Sequence, residues 1–498
     1  MKGLTLDSLP SPGTQRTPAP SRRRFLALLA LLPLACFLST ISPNTGLSTA
    51  GVGEMVREIK WALTPLPKDP RERAVRLMER QPVVDGHIDL PILARSYYAN
   101  QINDPELDLR KPAKGEVDIP RLREGKVGGF FWSVFVPCPD DLGLPSDESS
   151  NFTASTPSVR DTLEQIDTAR LLIDKYSDVF ELTLTAADWK KAMKNGKVGG
   201  MLGVEGGHQL GTSLSSIRAY YALGARYITF THTCNSPLGD SCGYMGSPVS
   251  PIWNGLSSFG RAAVGEMNRL GMLVDVSHTH PKTASDALSL SEAPVIFSHS
   301  NARGVHDVVR NVPDAILRRI GNIDERRRGT FNLSEDGEQG KGWGADNGEV
   351  DKEIPGGDTI IMLNFSPDFI SEPAQRANVS LMADHADYIG RLAGREHVGI
   401  GSDFDGIGKT PEGLEDVSTY PNLVAELIKR GWSDKEIMGL TSGNILRILT
   451  KAEAVAHRLK HRQTATDIFK GRTDLAKHKK PPVALLSGGS EKQEKSEL

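Results

Sequence analysis

The sequence lacks a charge excess of either sign: 59 lysines and arginines stand against 62 aspartates and glutamates, a formal net charge of −3. That balance excludes the basic field that a nucleic-acid surface needs, so no nucleic-acid partner is expected. Long apolar runs are missing apart from one near the start, and the last residues are polar. What remains has the composition of an ordinary soluble globular protein, and a lipid anchor added at the C-terminus is not expected. Cysteine is scarce as well. The four present, Cys36, Cys138, Cys234 and Cys242, are too few for a disulfide scaffold at this length.

The one apolar run follows Arg22, Arg23 and Arg24 and covers residues 25–41. Its length is at the short limit for a spanning helix, and its flanks match a targeting segment. Arginines on the N-terminal side put that side in the cytoplasm and everything after it in the lumen or outside. An N-terminal core helix is the alternative, disfavoured by the Pro- and Ser-rich flank. The chain then divides into a cytoplasmic segment (1–24), a signal-anchor or signal peptide (25–42), a linker (43–69) and a folded domain (70–456). That domain carries a polar insertion at 321–357, and a disordered basic and polar tail follows at 457–498. The expected location is a single-pass membrane protein with its folded domain lumenal or extracellular, or a secreted protein if the leader is removed.

Within the folded domain a run starting at Val83 ends in His87-Ile88-Asp89. Further apolar runs occupy 127–136, 198–205, 226–232, 272–278, 293–299, 359–365 and 397–403, with helix-length segments between them. Eight such alternations predict a (β/α)8 TIM-type barrel as a single catalytic domain, with an open doubly wound sheet as the alternative. The ends of these runs carry His87, Asp89, Glu205, His208, His232, His278, His299 and Asp403. In a barrel they converge on the face where such folds place their chemistry. Any single histidine is read as readily as a core or capping residue. One metal centre, however, accounts for all of the ends together.

His87 and Asp89, two apart on a strand, point the same way and offer one nitrogen and one oxygen to a cation. Adding Glu205, His278 and His299 makes more ligands than one tetrahedral ion with an open position can use, so two metals are expected, with Glu205 as the bridge and a shared hydroxide as nucleophile. His208, His232, Arg310 and Asp403 remain to be given roles.

The segments Val84-Asp85-Gly86-His87, Gly203-Val204-Glu205-Gly206-Gly207-His208, Thr231-His232-Thr233-Cys234-Asn235, Pro294-Val295-Ile296-Phe297-Ser298-His299 and Gly401-Ser402-Asp403-Phe404-Asp405-Gly406 closely resemble the membrane dipeptidases. The likeness spans residues 71–456. It implies a zinc-dependent dipeptidase with two Zn2+ per subunit, one held by His87, Asp89 and Glu205, the other by Glu205, His278 and His299. His278 is preferred over His280 because it closes its strand. The resemblance makes His232 the histidine that steadies the oxyanion, Arg310 the receptor of the substrate carboxylate and Asp403 the acid/base residue. It pairs Cys138 with Cys234 in a disulfide, as suits an oxidising compartment, and leaves Cys242 alone.

Where relatives carry a second disulfide this chain has His306 and Glu372, and a tyrosine of some relatives is replaced by Phe369. Relatives also often form homodimers. Asn151, Asn332 and Asn378 open glycosylation sequons, whereas the Asn364 sequon ends a strand and is expected to be buried. Two alternatives stand beside this reading: another amidohydrolase-type hydrolase, including a processing dipeptidase for Cys-Gly conjugates, and a non-catalytic receptor or carrier. The His-x-Asp pair and the glutamate bridge argue against a different barrel hydrolase. Retention of Asp403 and Arg310 argues against a dead barrel.

Overall fold

A computed structural model describes residues 64–139, 152–244, 249–321, 358–472 and Leu475. The segment 1–24, the apolar segment 25–42, most of the linker, almost all of the insertion 321–357, Asn151, Asn332 and the end of the tail lie outside the described residues. Among the described residues no helix is long and apolar enough to cross a membrane.

Near-continuous apolar runs become parallel strands because a parallel sheet covered on both faces tolerates few polar residues. Every residue of β1 (Val83–Ile88) and of β4 (Val198–Glu205) is buried. The others are β2 (Val127–Phe135), β3 (Phe180–Leu182), β5 (Ala225–Thr229), β6 (Leu273–Asp275), β7 (Val295–Phe297), β8 (Thr359–Leu363) and β9 (Val398–Ile400). β2 pairs with β1 on one side and β4 on the other, and the ring runs through β5, β6, β7 and β8 to β9, which returns to β1. This is the expected closed (β/α)8 barrel, and closure rules out the open sheet. β3 was not expected. It spans three residues, only the first of them buried, and pairs with the start of β4 before β5 takes over that edge.

Several strands are shorter than their apolar runs predict. β5 stops at Thr229 before His232, β6 at Asp275 before His278, β7 at Phe297 before His299 and β9 at Ile400 before Asp403. The chain leaves ladder geometry at these points, since His278 and Asp403 take left-handed φ values of 63° and 67°, a costly conformation for residues with a Cβ.

Inside the ring Val84, Met201, Tyr227, Leu273, Ile296 and Met362 join one buried cluster, to which the C-terminal helix Asn444–Leu459 adds Ile445 and Leu449. Packed structure extends past the expected boundary at 456. The helix continues to Leu459, and Phe469 is buried against Phe152, Trp253 and Phe259. A lone aromatic in a basic stretch was the only sequence sign of it.

Glycine on β2 and β4 makes room for a large ring. Trp189 is fully buried and donates its indole N–H to the Gly128 carbonyl, and a Cβ on Gly129 would overlap that indole and the Gly199 carbonyl. Gly129→Ala should therefore cost about 1–3 kcal/mol of stability, the usual penalty of overpacking, measured as a lower urea midpoint at unchanged slope. An unchanged midpoint would mean that Trp189 can retreat.

Candidate metal and active site

The His-x-Asp pair meets by a route other than strand alternation. β1 ends at Ile88, and Asp89 is the residue ahead of the helix Leu90–Tyr98, with φ −94° and ψ 25°. This turn still brings Asp89 Oδ2 to 3.3 Å from His87 Nε2. Glu205, the last residue of β4, divides its two oxygens between two groups. Its Oε2 lies 3.2 Å from His87 Nε2 and accepts a hydrogen bond from the Ser133 hydroxyl. Its Oε1 lies 3.2 Å from His278 Nε2, 3.4 Å from His299 Nε2 and 3.8 Å from His232 Nε2. Asp403 Oδ1 stands 3.9 Å from His87 Nε2.

The partners of the opposite ring nitrogens assign the tautomers. The Tyr227 hydroxyl sits 2.8 Å from His87 Nδ1 and donates to the Gly86 carbonyl, so Nδ1 is the donor and Nε2 carries the lone pair. His299 Nδ1 likewise donates to Ser298 Oγ at 2.8 Å, and that hydroxyl donates to Asp275 Oδ2 at 2.6 Å. These are the tautomers of the neutral rings, the form that ligates metals. Burial would lower His87, but Tyr227, Glu205 and Asp89 outweigh it and raise the imidazole well above its ordinary value, and a cation between the carboxylates would take the place of that proton. His87 Nε2 has no hydrogen-bond partner among the described residues. The Nε2 atoms of His278 and His299 approach to 2.9 Å while facing the same carboxylate oxygen, an arrangement that a cation among them relieves. Borderline nitrogen donors with carboxylates are a donor set suited to zinc or a similar divalent ion. The residues therefore fit a metal.

Buried charge sets the electrostatics. Burial, helped by Asp89 and Glu205 nearby, pushes the Asp403 carboxyl well above the usual carboxylate range. Burial also pushes Glu205 up, but His87 and the hydrogen bonds of His278 and His299 outweigh it and hold its carboxyl well below that range. Burial, followed by Arg310 for His278 and by His87 for His299, lowers both imidazoles well below their ordinary value.

A cavity of about 550 Å3 opens over these groups, lined by Asp89, Glu205, His232, His278, Phe369 and Asp403 among others. That volume suits a small ligand. Arg310 is not among the residues that line it; its guanidinium lies 5.1 Å from the centre of the ring of Phe369, which is one of them. Only 4 % of Arg310 is exposed. One Nη2 bond goes to the His299 carbonyl, and Nε and Nη1 find no hydrogen-bond partner among the described residues. A buried guanidinium with unused donors is prepared for an anion from outside the chain.

The structure keeps other candidates apart from this centre. His208 donates from Nε2 to the Val136 carbonyl, and burial lowers its pKa to about 4. The cysteines near it, Cys138 and Cys234, are bonded to each other, so they offer no thiolate. His280 accepts the Lys282 N–H at the start of the helix Pro281–Leu290. Cys242 is buried and free. His306 Nδ1 and Glu372 Oε1 lie 3.7 Å apart where the resemblance would place a second disulfide. Asn378 caps the helix Val379–Leu392 through its Oδ1.

Sequence reading missed the groups that hold the centre from behind. Asn364 is fully buried, as expected, but its Nδ2 also donates to Asp403 Oδ2 at 2.8 Å. Tyr227, Ser298 and Asp275 support His87 and His299 as described. The available signal was a polar residue inside or just after an apolar strand, where burial without a partner is costly.

The family model of membrane dipeptidases (peptidase family M19) matches residues 71–324 and 349–463. Among solved structures, dipeptidase AC, a metallopeptidase of family M19, is 26% identical over 74% of this chain and 98% of its own, with a TM-score of 0.58. A metallopeptidase from Rhodobacter sphaeroides, liganded with a phosphinate mimic of the dipeptide L-Ala-D-Ala, is 25% identical over 74% of this chain and 99% of its own, with a TM-score of 0.59. The probable dipeptidase PvdM from Pseudomonas aeruginosa shares the fold at 22% identity over 78% of this chain and 100% of its own, with a TM-score of 0.62.

Proposed function

The chain belongs to the membrane dipeptidase family, peptidase family M19, and on that premise we propose that it is a zinc-dependent dipeptidase acting on free dipeptides. The observation that carries this reading is the division of Glu205: one oxygen faces His87 beside Asp89, the other faces His278 and His299. His87, Asp89 and Glu205 would hold one Zn2+, and Glu205, His278 and His299 a second. Bound there, the metals supply Lewis-acid polarisation of the peptide carbonyl and acidify water.

The chain's own residues supply the rest. Arg310 receives the substrate's terminal carboxylate, which limits substrates to one residue beyond the scissile bond. His232, at the cavity wall, donates to the carbonyl oxygen as charge grows on it. Asp403 takes a proton from the attacking water and returns it to the departing amine, and Asn364 fixes which carboxylate oxygen faces the substrate. Tyr227 and Ser298 keep the Nε2 lone pairs of His87 and His299 turned inward.

A panel of free dipeptides, Cys-Gly adducts included, tests the activity, and a phosphinate dipeptide mimic of the kind bound by the Rhodobacter relative should inhibit it. Failure of every dipeptide with metal-loaded protein would sink the proposal. Elemental analysis of active enzyme should give about two zinc ions per chain; a value near one would remove the bridging role of Glu205. The Cys138–Cys234 disulfide supports a lumenal or extracellular domain, in keeping with membrane attachment through residues 25–42 or secretion. Pairing as a homodimer and glycosylation at Asn151, Asn332 and Asn378 belong to the same reading.

A further inference from the structure

Two fully buried aspartates with no assigned role occupy equivalent places in the barrel. Asp85 on β1 stands opposite Ile400 of β9, and Asp275 on β6 stands opposite Ile296 of β7. In each case the neighbouring strand places a serine two residues further on, Ser402 or Ser298. Asp85 Oδ1 accepts the backbone N–H of His87 at 2.8 Å and of Ser402 at 3.1 Å. Asp275 Oδ1 accepts the backbone N–H of Ser277 at 3.1 Å and of Ser298 at 2.9 Å. The second oxygens take hydroxyls: Tyr420 donates to Asp85 Oδ2 at 2.7 Å, while Thr229 and Ser298 each donate to Asp275 Oδ2 at 2.6 Å.

We propose that Asp85 and Asp275 are matched positioning residues, each clamping two strand ends so that one half of the metal centre is preformed. The Asp85 clamp holds His87 directly and Asp403 through Ser402. The Asp275 clamp holds the turn into His278 through Ser277 and reaches His299 through the Ser298 hydroxyl, which accepts from His299 Nδ1 at 2.8 Å. A carboxylate is required because all its bonds are accepted and both oxygens are used. An amide would turn a donor toward a hydroxyl or an N–H on one side. Just beyond each clamp the backbone leaves the strand, and His278 and Asp403 adopt positive φ. Four backbone N–H groups gathered on two oxygens hold those strained turns.

The inference rests on the metal reading given above, and zinc affinity measured by chelator competition on the full holoprotein tests it. Asp275→Asn should weaken one of two bound zinc ions by about 10–100-fold, the usual effect of removing a group that supports a ligand, and leave the other within about twofold. Ser298→Ala removes the hydroxyl that joins His299 Nδ1 to Asp275 Oδ2 but keeps the buried carboxylate and its backbone N–H bonds, so it should show the same selective loss even if Asp275→Asn folds poorly. Combining Asp275→Asn with His278→Ala should add little, because both act on one ion, whereas combining it with Asp85→Asn should weaken both. Native affinities for both ions in Asp275→Asn and Ser298→Ala, with only the unfolding temperature of metal-free protein lowered, would make the clamps structural and overturn the proposal. Absence of zinc binding in the unsubstituted protein would instead bring down the metal reading itself.

Discussion

Asp403→Asn should retain its metals and fold while losing turnover by about a hundred- to ten-thousand-fold, the range associated with one general acid/base group. The substitution changes no volume. Asp403 Oδ2 accepts the Asn364 amide at 2.8 Å, and Oδ1 is the atom that faces the centre, 3.9 Å from His87 Nε2. Because Asn364 offers a donor, the new amide is expected to turn its oxygen toward Asn364. Its NH2 then points at the metals and the substrate, where a proton acceptor is needed.

Steady-state kinetics with zinc content measured on the same sample provides the check. Two ions with native kcat would remove Asp403 from the chemistry. A fall in zinc content parallel to the fall in rate would make it a ligand instead. Asn364→Ala supplies a graded comparison. It leaves the carboxylate but frees its rotamer, so its loss should be smaller than that of Asp403→Asn.

The barrel and the membership of the centre were legible because both are written in local pattern. Apolar runs such as 198–205 are the imprint of strands covered on both faces, and carboxylates and imidazoles closing five or six of them have few common explanations. What stayed hidden depends on three-dimensional neighbours. Asp89 reads as a strand residue two after His87, yet it belongs to the turn before Leu90, and the contact with His87 survives because the turn delivers it. β6, β7 and β9 stop early where Ser277, Ser298 and Ser402 give their backbone N–H groups to Asp275 and Asp85 rather than to the ladder. Tyr227 looked like one more aromatic of a β-strand. Only packing puts its hydroxyl on His87, 140 positions away in sequence. Phe469 is a similar case, since nothing local distinguishes an aromatic in a basic tail from one that fills a pocket beside Trp253.

Arg310→Ala should separate dipeptides from their amides. The guanidinium is nearly all buried, spends one N–H on the His299 carbonyl, rests on the Phe369 ring and leaves Nε and Nη1 without partners among the described residues. Unused donors in that setting are costly unless an anion completes them. If the anion is the terminal carboxylate of the substrate, the variant should lose about 2–5 kcal/mol of transition-state binding on free dipeptides, read from kcat/KM. Dipeptide amides lack the carboxylate, so they should be poor substrates of the native enzyme and change little on substitution. Arg310→Lys keeps the charge but not the paired donors and should fall between. The competing account is that Arg310 holds His299 in place through its carbonyl. In that case zinc content should drop, and acids and amides should suffer alike. Equal losses for the two substrate types at native zinc content would leave the preference for free dipeptides without a residue to explain it.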